Sequence, residues 1–239
     1  MNNITLDTRV YPIDNPERNT LAFASVAFKV DGEDLAAIRG IRVVDSKKGA
    51  FVAMPQSQDK TGLYHDIAFP IDGELRKNLN ASVLDEYERQ SSLPPEHRGY
   101  QKADTETSIA RQPEDVKLEV KIFPIDKPNG DTLAFASVAL DDIVAIRGIR
   151  VVNSGKGNFV SLPQSQDREG KFHDIAFPIG GDLRRVLSNV VLSDYRQETA
   201  ERKQGIGERL QDGAQKAAAY AASTPQRASV AKGSPGIGD

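Results

Sequence analysis

The sequence predicts an α+β fold built twice: two repeated units, each an antiparallel β-meander of about five strands followed by an amphipathic C-terminal helix, paired with one another as a pseudo-dimer. Three observations predict it. A tandem duplication occupies most of the 239 residues. Each copy opens with short runs rich in β-branched and aromatic residues, separated by turn signals. Each copy then changes to an apolar period of about four residues, the mark of a helix lying on a sheet.

The duplication is explicit. PIDNPERNTLAFASVAF, Pro12 to Phe28, matches PIDKPNGDTLAFASVAL, Pro124 to Leu140, at an offset of 112 residues, and after a four-residue deletion the remainder matches at an offset of 108. The unit is roughly 80 residues, a domain size rather than a solenoid period. Residues 1–90 form the first unit and 117–198 the second. Between them, 91–116 (SSLPPEHRGYQKADTETSIARQPED and its flank) are polar and carry Pro-Pro, which reads as a flexible linker. Residues 199–239 are a low-complexity tail, helical around Ala214 to Ala222 and disordered at the Ser/Pro/Gly-rich end.

Within the first copy, Ile4 to Phe69 is broken by DNPERN, VDGED, SKKG and DKTG into strand-length pieces. From Asp72 onward Leu75, Leu79, Val83 and Tyr87 recur every fourth residue, joined by Leu84; Leu183, Leu187, Val191 and Tyr195 repeat this in the second copy, with Val186 and Val190 widening the stripe. Asp72 is placed to cap the first helix and Glu74 sits in its first turn, whereas the second copy has Gly180 and Gly181 there. A lone small meander leaves a hydrogen-bonding edge and buries little area, which argues that the two units pair within the chain.

Composition excludes several classes. With no cysteine there are no disulfides, thiolate metal sites or thiol nucleophiles. No apolar run reaches the roughly 20 residues that span a bilayer, and MNNITLDTRV lacks the features of a signal peptide, so the expectation is a cytoplasmic protein with no membrane contact. Net charge is −3 and no segment is strongly basic, so any anion-binding surface is local.

HDIAFPI occurs twice, at His65 to Ile71 and His173 to Ile179. On a strand, His65 shares a face with Leu63, Ile67 and Phe69 while Asp66 points the other way, so the adjacent pair is not an acid/base dyad. The third histidine, His97, lies in the linker. No catalytic, phosphate-loop or nucleotide-binding motif is present, and the sequence predicts neither an enzyme nor a metal or cofactor.

An ordered set of short motifs resembles the SpoVG family of stage V sporulation or septation regulators. It comprises Ile41-Arg42-Val43, Gly49, Phe51-Val52-Ala53-Met54-Pro55, Gly62, Asp66-Ile67-Ala68, Pro70-Ile71 and the helix from Leu75. The second copy carries it through Ile149-Arg150-Val151, Gly157, Phe159-Val160, Pro163, Gly170, Asp174-Ile175-Ala176 and Pro178-Ile179. The resemblance implies a small α+β domain, dimeric through its sheet, that binds DNA and RNA and regulates transcription, division or sporulation. It also implies a Lys-Arg pair after Met-Pro and an Arg before Asp-Ile; here stand Ser57-Gln58 and His65, with Ser165-Gln166 and His173 in the second copy, and Phe69 and Phe177 replace a histidine.

The basic pairs Arg76-Lys77 and Arg184-Arg185 open the two helices, where the resemblance places nucleic-acid-binding determinants. A phosphate there would meet both cations and free N–H groups; alternatively the side chains are solvated or paired with Glu74 and Asp182. Arg42 and Arg150 are the helpers. With Arg39 and Arg147 they lie on the strand AIRGIRVV, where alternation points Arg39 and Arg42 apart unless Gly40 makes a bulge. Lys47, Lys48, Lys60, Lys156 and Arg168 fall in turns, where a charge is ordinarily solvated. Two readings result: a tandem regulator binding DNA or RNA weakly and salt-dependently, or a non-enzymatic interaction or assembly module that has lost most phosphate contacts.

Overall fold

The computed structural model describes residues 3–14, 19–100, 109–128, 130–167 and 169–223. The middle of the predicted linker, Arg168 and the Ser/Pro/Gly-rich end lie outside the described residues. The chain divides into two compact units, Met1–Arg196 and Gln197–Asp239, so both repeats belong to the first.

The first repeat runs β1 (Ile4–Pro12), β2 (Thr20–Val30), β3 (Glu33–Val44), β4 (Phe51–Ala53), β5 (Gln56–Gln58), β6 (Tyr64–Asp66), β7 (Ala68–Pro70) and α1 (Gly73–Ser91). The second runs β8 (Leu118–Pro124), β9 (Thr132–Leu140), β10 (Val144–Asn153), β11 (Asn158–Ser161), β12 (Gln164–Gln166), β13 (Phe172–Asp174), β14 (Ala176–Pro178) and α2 (Gly181–Ser223). The fold is the α+β arrangement expected, an antiparallel sheet and a following helix, made twice.

Each large sheet has five strands, but one of the five comes from the other repeat. β1, β2, β3 and β4 pair in sequence, and β14 of the second repeat adds to β3 through Ile38, Ala37 and Ala36. Reciprocally, β7 of the first repeat adds to β10 through Val144, Ala145 and Ile146. The flanking hydrogen bonds obey the same pseudo-two-fold rule: the Arg39 amide donates to the Ile175 carbonyl and that of Arg147 to Ile67, while Ile71 donates to Ile143 and Ile179 to Leu35. Two copies of one surface thus satisfy each other's edge, as in an isologous dimer. The short strands β5–β6 and β12–β13 leave the sheets as separate hairpins.

One contiguous core serves both repeats. On β2, Ala22, Ala24, Val26 and Phe28 alternate inward, and on α1 Leu75, Leu79 and Val83 meet them; Ala134, Ala136 and Val138 with Leu183, Leu187 and Val191 are the counterparts. Asp72 caps α1 as expected, its carboxylate accepting the Leu75 amide at 2.8 Å. Thr8 of β1 bonds Ser82 of α1, so Leu6, Thr8 and Val10 line the helix-facing side and Asp7, Arg9 and Tyr11 the opposite, outer side.

The four-residue deletion leaves the β9–β10 hairpin two residues shorter on each strand than β2–β3, an even number that keeps every later side chain on its face. Both turns have two residues of positive φ, Asp31 (52°) with Gly32 (87°) and Asp141 (51°) with Asp142 (56°), the backbone that a two-residue hairpin demands.

Gly40 and Gly148 have φ of 72° and 71°, and at each the register slips: Ile38 and Ile41 pair with Val26 and Ala24, Ile146 and Ile149 with Val138 and Ala136. This is a bulge. It shifts the parity of the strand, so that Ile38, Ile41 and Val43 are all buried and Arg39 and Arg42 share the outer face. Gly40→Val is expected to destabilise the chain by about 1–2 kcal/mol, since a β-branched residue in the left-handed region is strained although space is open around it. A urea midpoint unchanged by this substitution contradicts the bulge.

The described linker residues carry contacts of their own. Pro95–His97 make a 3₁₀ turn, Arg98 pairs with Asp14, the Tyr100 hydroxyl receives the Val10 amide and donates to Glu86, and Ile109 and Arg111 exchange backbone hydrogen bonds with buried Asp34. Burial, then the Glu86 carboxylate, pushes the Tyr100 hydroxyl up to about 12. Gly180 stands where a Cβ would come within 2.8 Å of the Ala110 Cβ, so only glycine fits beneath this segment. The helix α2 continues to Ser223 and includes the Ala-rich stretch; beyond Gln197 it carries the i,i+4 pairs Arg202–Glu198 and Lys216–Asp212.

Candidate functional site

Two surfaces hold the cations that the sequence singles out. At the helix starts, Arg76 Nη2 lies 2.8 Å from Asp66 Oδ2, and the other oxygen of that carboxylate accepts from Gln56 Nε2. In the second repeat Arg184 meets Asp174 at 2.6 Å and Gln164 completes the clamp. These arginines tie the β5–β6 and β12–β13 hairpins to the helices. Lys77 pairs with Glu74 and Arg185 with Asp182, both pairs about 70% exposed and worth little to stability. Each helix start therefore brings its basic pair together with at least as many carboxylates, Asp72 included in the first repeat.

On the outer sheet faces the situation is the reverse. Among the described residues, Arg39, Arg42, Arg147 and Arg150 have no carboxylate within ion-pair distance. Arg39 lies over the Phe177 ring at 4.7 Å and Arg147 over Phe69 at 4.7 Å, so each of these phenylalanines holds a strand arginine of the other repeat. Arg150 reaches the Ser161 hydroxyl at 3.2 Å. The structure thus brings Arg42 together with Arg39, and Arg150 with Arg147, which alternation alone places on opposite faces.

The histidines have a partner the sequence reading missed. His65 Nε2 is 2.6 Å from Asp59 Oδ2 and His173 Nε2 is 2.6 Å from Asp167 Oδ2, across the tip of each short hairpin. The other oxygen of Asp59 accepts from Thr61 and Leu63, so the carboxylate organises the turn. The signal was present as Asp-x5-His in both copies, QDKTGLYH and QDREGKFH. No group of three or more His, Cys, Asp or Glu residues arranged to hold a metal ion occurs among the described residues.

The hydrogen bonds from Thr61 and then His65 hold the Asp59 carboxyl far below the usual range, and His173 lowers that of Asp167. A depressed carboxylate contributes stability above its unfolded value, near 4, and loses it as pH falls through the lower folded value. Both hairpins are therefore expected to loosen progressively as pH falls below about 4, read as amide exchange at Leu63 and Lys171. Replacing His65 and His173 together by Gln should leave stability almost unchanged, within about 0.5 kcal/mol by urea unfolding, because both imidazoles are half exposed and such surface pairs contribute little.

These features define a class: an α+β domain duplicated in one chain and self-paired by strand exchange, with helix-start and sheet-face arginines. The SpoVG family model matches residues 3–89 and 116–197. The chain belongs to the SpoVG family, and each match coincides with one repeat. Among curated relatives, the "Putative septation protein SpoVG" of Bdellovibrio bacteriovorus is 33% identical over 81 residues, 34% of this chain and 72% of that protein. The protein of the same name from Archaeoglobus fulgidus is 34% identical over 80 residues, covering 93% of its length. The "Putative septation protein SpoVG 2" of Listeria monocytogenes is 35% identical over 80 residues, 34% of this chain and 78% of its own. Each relative corresponds to about a third of this chain, one repeat rather than two. No helix among the described residues is long and apolar enough to cross a membrane.

Proposed function

We propose that the chain is a nucleic-acid-binding regulatory protein of the SpoVG family, acting in control of gene expression, septation or sporulation as a covalent pseudo-dimer. One observation carries the reading: Arg42 and Arg150, with Arg39 and Arg147, have no carboxylate partner among the described residues and lie on matching outer faces. Uncompensated arginines on an open sheet attract phosphate, and two sets in one chain double the contacts available to one strand. Arg76, Lys77, Arg184 and Arg185 contribute where a phosphate displaces Asp66, Glu74, Asp174 or Asp182, which makes their share of affinity small and the binding weak overall.

Equilibrium binding to random duplex DNA and RNA across a salt series tests this. Four to six phosphate contacts on duplex DNA give a log–log slope of roughly −3.6 to −5.4, from about −0.9 per contact. The second reading, an assembly module without nucleic acid, is favoured by the neutralised helix starts. Absence of measurable binding at about 50 mM salt would establish it in place of the first.

A further inference from the structure

The outer sheet faces carry more than arginines. Tyr11 on β1 stands directly opposite Phe23 on β2, Phe23 opposite Arg42 on β3, and Arg42 opposite Ala53 on β4. In the second repeat the same row reads Phe123, Phe135, Arg150 and Ser161. All four rings are about half exposed: Tyr11 48%, Phe23 50%, Phe123 56% and Phe135 46%. Two residues along the first two strands, and three along the bulged strand, lies a second row, Arg9, Ser25 and Arg39, matched by Lys121, Ser137 and Arg147. Between the two rows of the first repeat is an open depression of about 360 Å3 bounded by Arg9, Tyr11, Phe23, Ser25 and Arg39.

A half-exposed aromatic ring costs solubility and contributes little to the core, yet here two rings sit side by side at one register, twice, the inner ring of each pair opposite an arginine on the next strand. Adjacent strands are about 4.8 Å apart, so neighbouring rings offer two flat apolar platforms with positive charge at the row's end and alongside it. That combination complements one chemistry: a base whose face is free to stack, attached to a phosphate. Duplex nucleic acid hides its base faces and presents only phosphates. We infer that the aromatic rows of the two repeats are stacking platforms for single-stranded nucleic acid, with Phe23 and Phe135 as the central rings and Arg42 and Arg150 as the phosphate contacts beside them. The inference rests on the nucleic-acid reading above and adds a preference for unpaired strands, independent of the helix starts.

The chain has no tryptophan, so Phe23→Trp introduces a single fluorescent reporter into the full-length protein. Its emission is expected to be quenched by an unlabelled oligouridine of about 20 nucleotides, longer than the roughly 4–16 nucleotides that single-strand modules cover, and not by a duplex. In parallel, Phe23→Leu with Phe135→Leu keeps the apolar bulk and removes the ring faces. Affinity for labelled oligouridine should fall about 10- to 100-fold, and affinity for duplex should be unchanged.

Equal binding of single strand and duplex, with no quenching and no effect of the leucine changes, overturns the stacking platform while leaving the phosphate-contact reading intact. Failure of the unsubstituted chain to bind any nucleic acid overturns both. Leucine variants that lower the mass of a self-associated protein without altering strand binding assign the face to a second copy of the chain and overturn the platform.

Discussion

Ala176→Asp is expected to destabilise the protein by about 3–5 kcal/mol, enough to populate the unfolded state under mild conditions. Ala176 is fully buried in β14, directly opposite Ile38 of the other repeat, and its Cβ faces the shared core. A carboxylate there would be buried among apolar side chains and would disrupt the exchanged strand itself. Ala68→Asp, at the symmetry-related position opposite Ile146, should behave alike. Because each exchanged strand completes the other repeat's sheet, one substitution should reduce cooperativity in both repeats together, seen as a single broadened urea transition. A loss confined to the repeat that bears the change would mean that the two halves are stable separately.

Arg42→Ala with Arg150→Ala is expected to flatten the duplex salt slope by about 1.8 and to weaken binding to all sequences alike, since phosphate contacts position without reading bases. Both side chains project from the outer face, away from the core, so the urea midpoint should stay within about 0.5 kcal/mol of the parent. Alanine at Arg76 and Arg184 should act differently. Each is held by a mostly buried aspartate that also receives a glutamine, so its removal frees the hairpin as well as a cation. The signature is increased amide exchange in β6 and β13 beside a smaller change in slope.

The repeat, the change from strand to helix period, the apolar stripe from Leu75 to Tyr87 and the Asp72 cap were all legible, because each is fixed by residues a few positions apart. Pairing of the repeats was legible too, from the open edge that one meander leaves. Its route through β7 and β14 was not. Ala-Phe-Pro is only three residues long, and nothing local says whether it adds to its own sheet or to its neighbour's. The strand arginines show the same limit at smaller scale: Gly40 marked a possible bulge, but only the realised φ decides that Arg39 and Arg42 share a face. The His65–Asp59 bond was less legible because it joins residues six apart across a turn, while the adjacent Asp66 serves Arg76 instead.

At the helix starts the sequence placed the basic pairs correctly and left their partners open. Glu74 and Asp182 were visible as i,i+3 neighbours of Lys77 and Arg185. Asp66 and Asp174 reach Arg76 and Arg184 only because the hairpin folds back toward the helix, a tertiary event with no local signature. The compensation of charge there, against sheet-face arginines with no carboxylate partner among the described residues, moves the weight of the proposed phosphate contacts toward Arg42 and Arg150.

The proposal of a complete, self-paired nucleic-acid-binding unit in one chain is tested most directly by light scattering at low micromolar concentration and about 50 mM salt, with and without a short oligonucleotide. It predicts a free protein near the chain mass of 26.1 kDa and a complex heavier by one oligonucleotide. A free protein of twice that mass, or no complex at all, would contradict it.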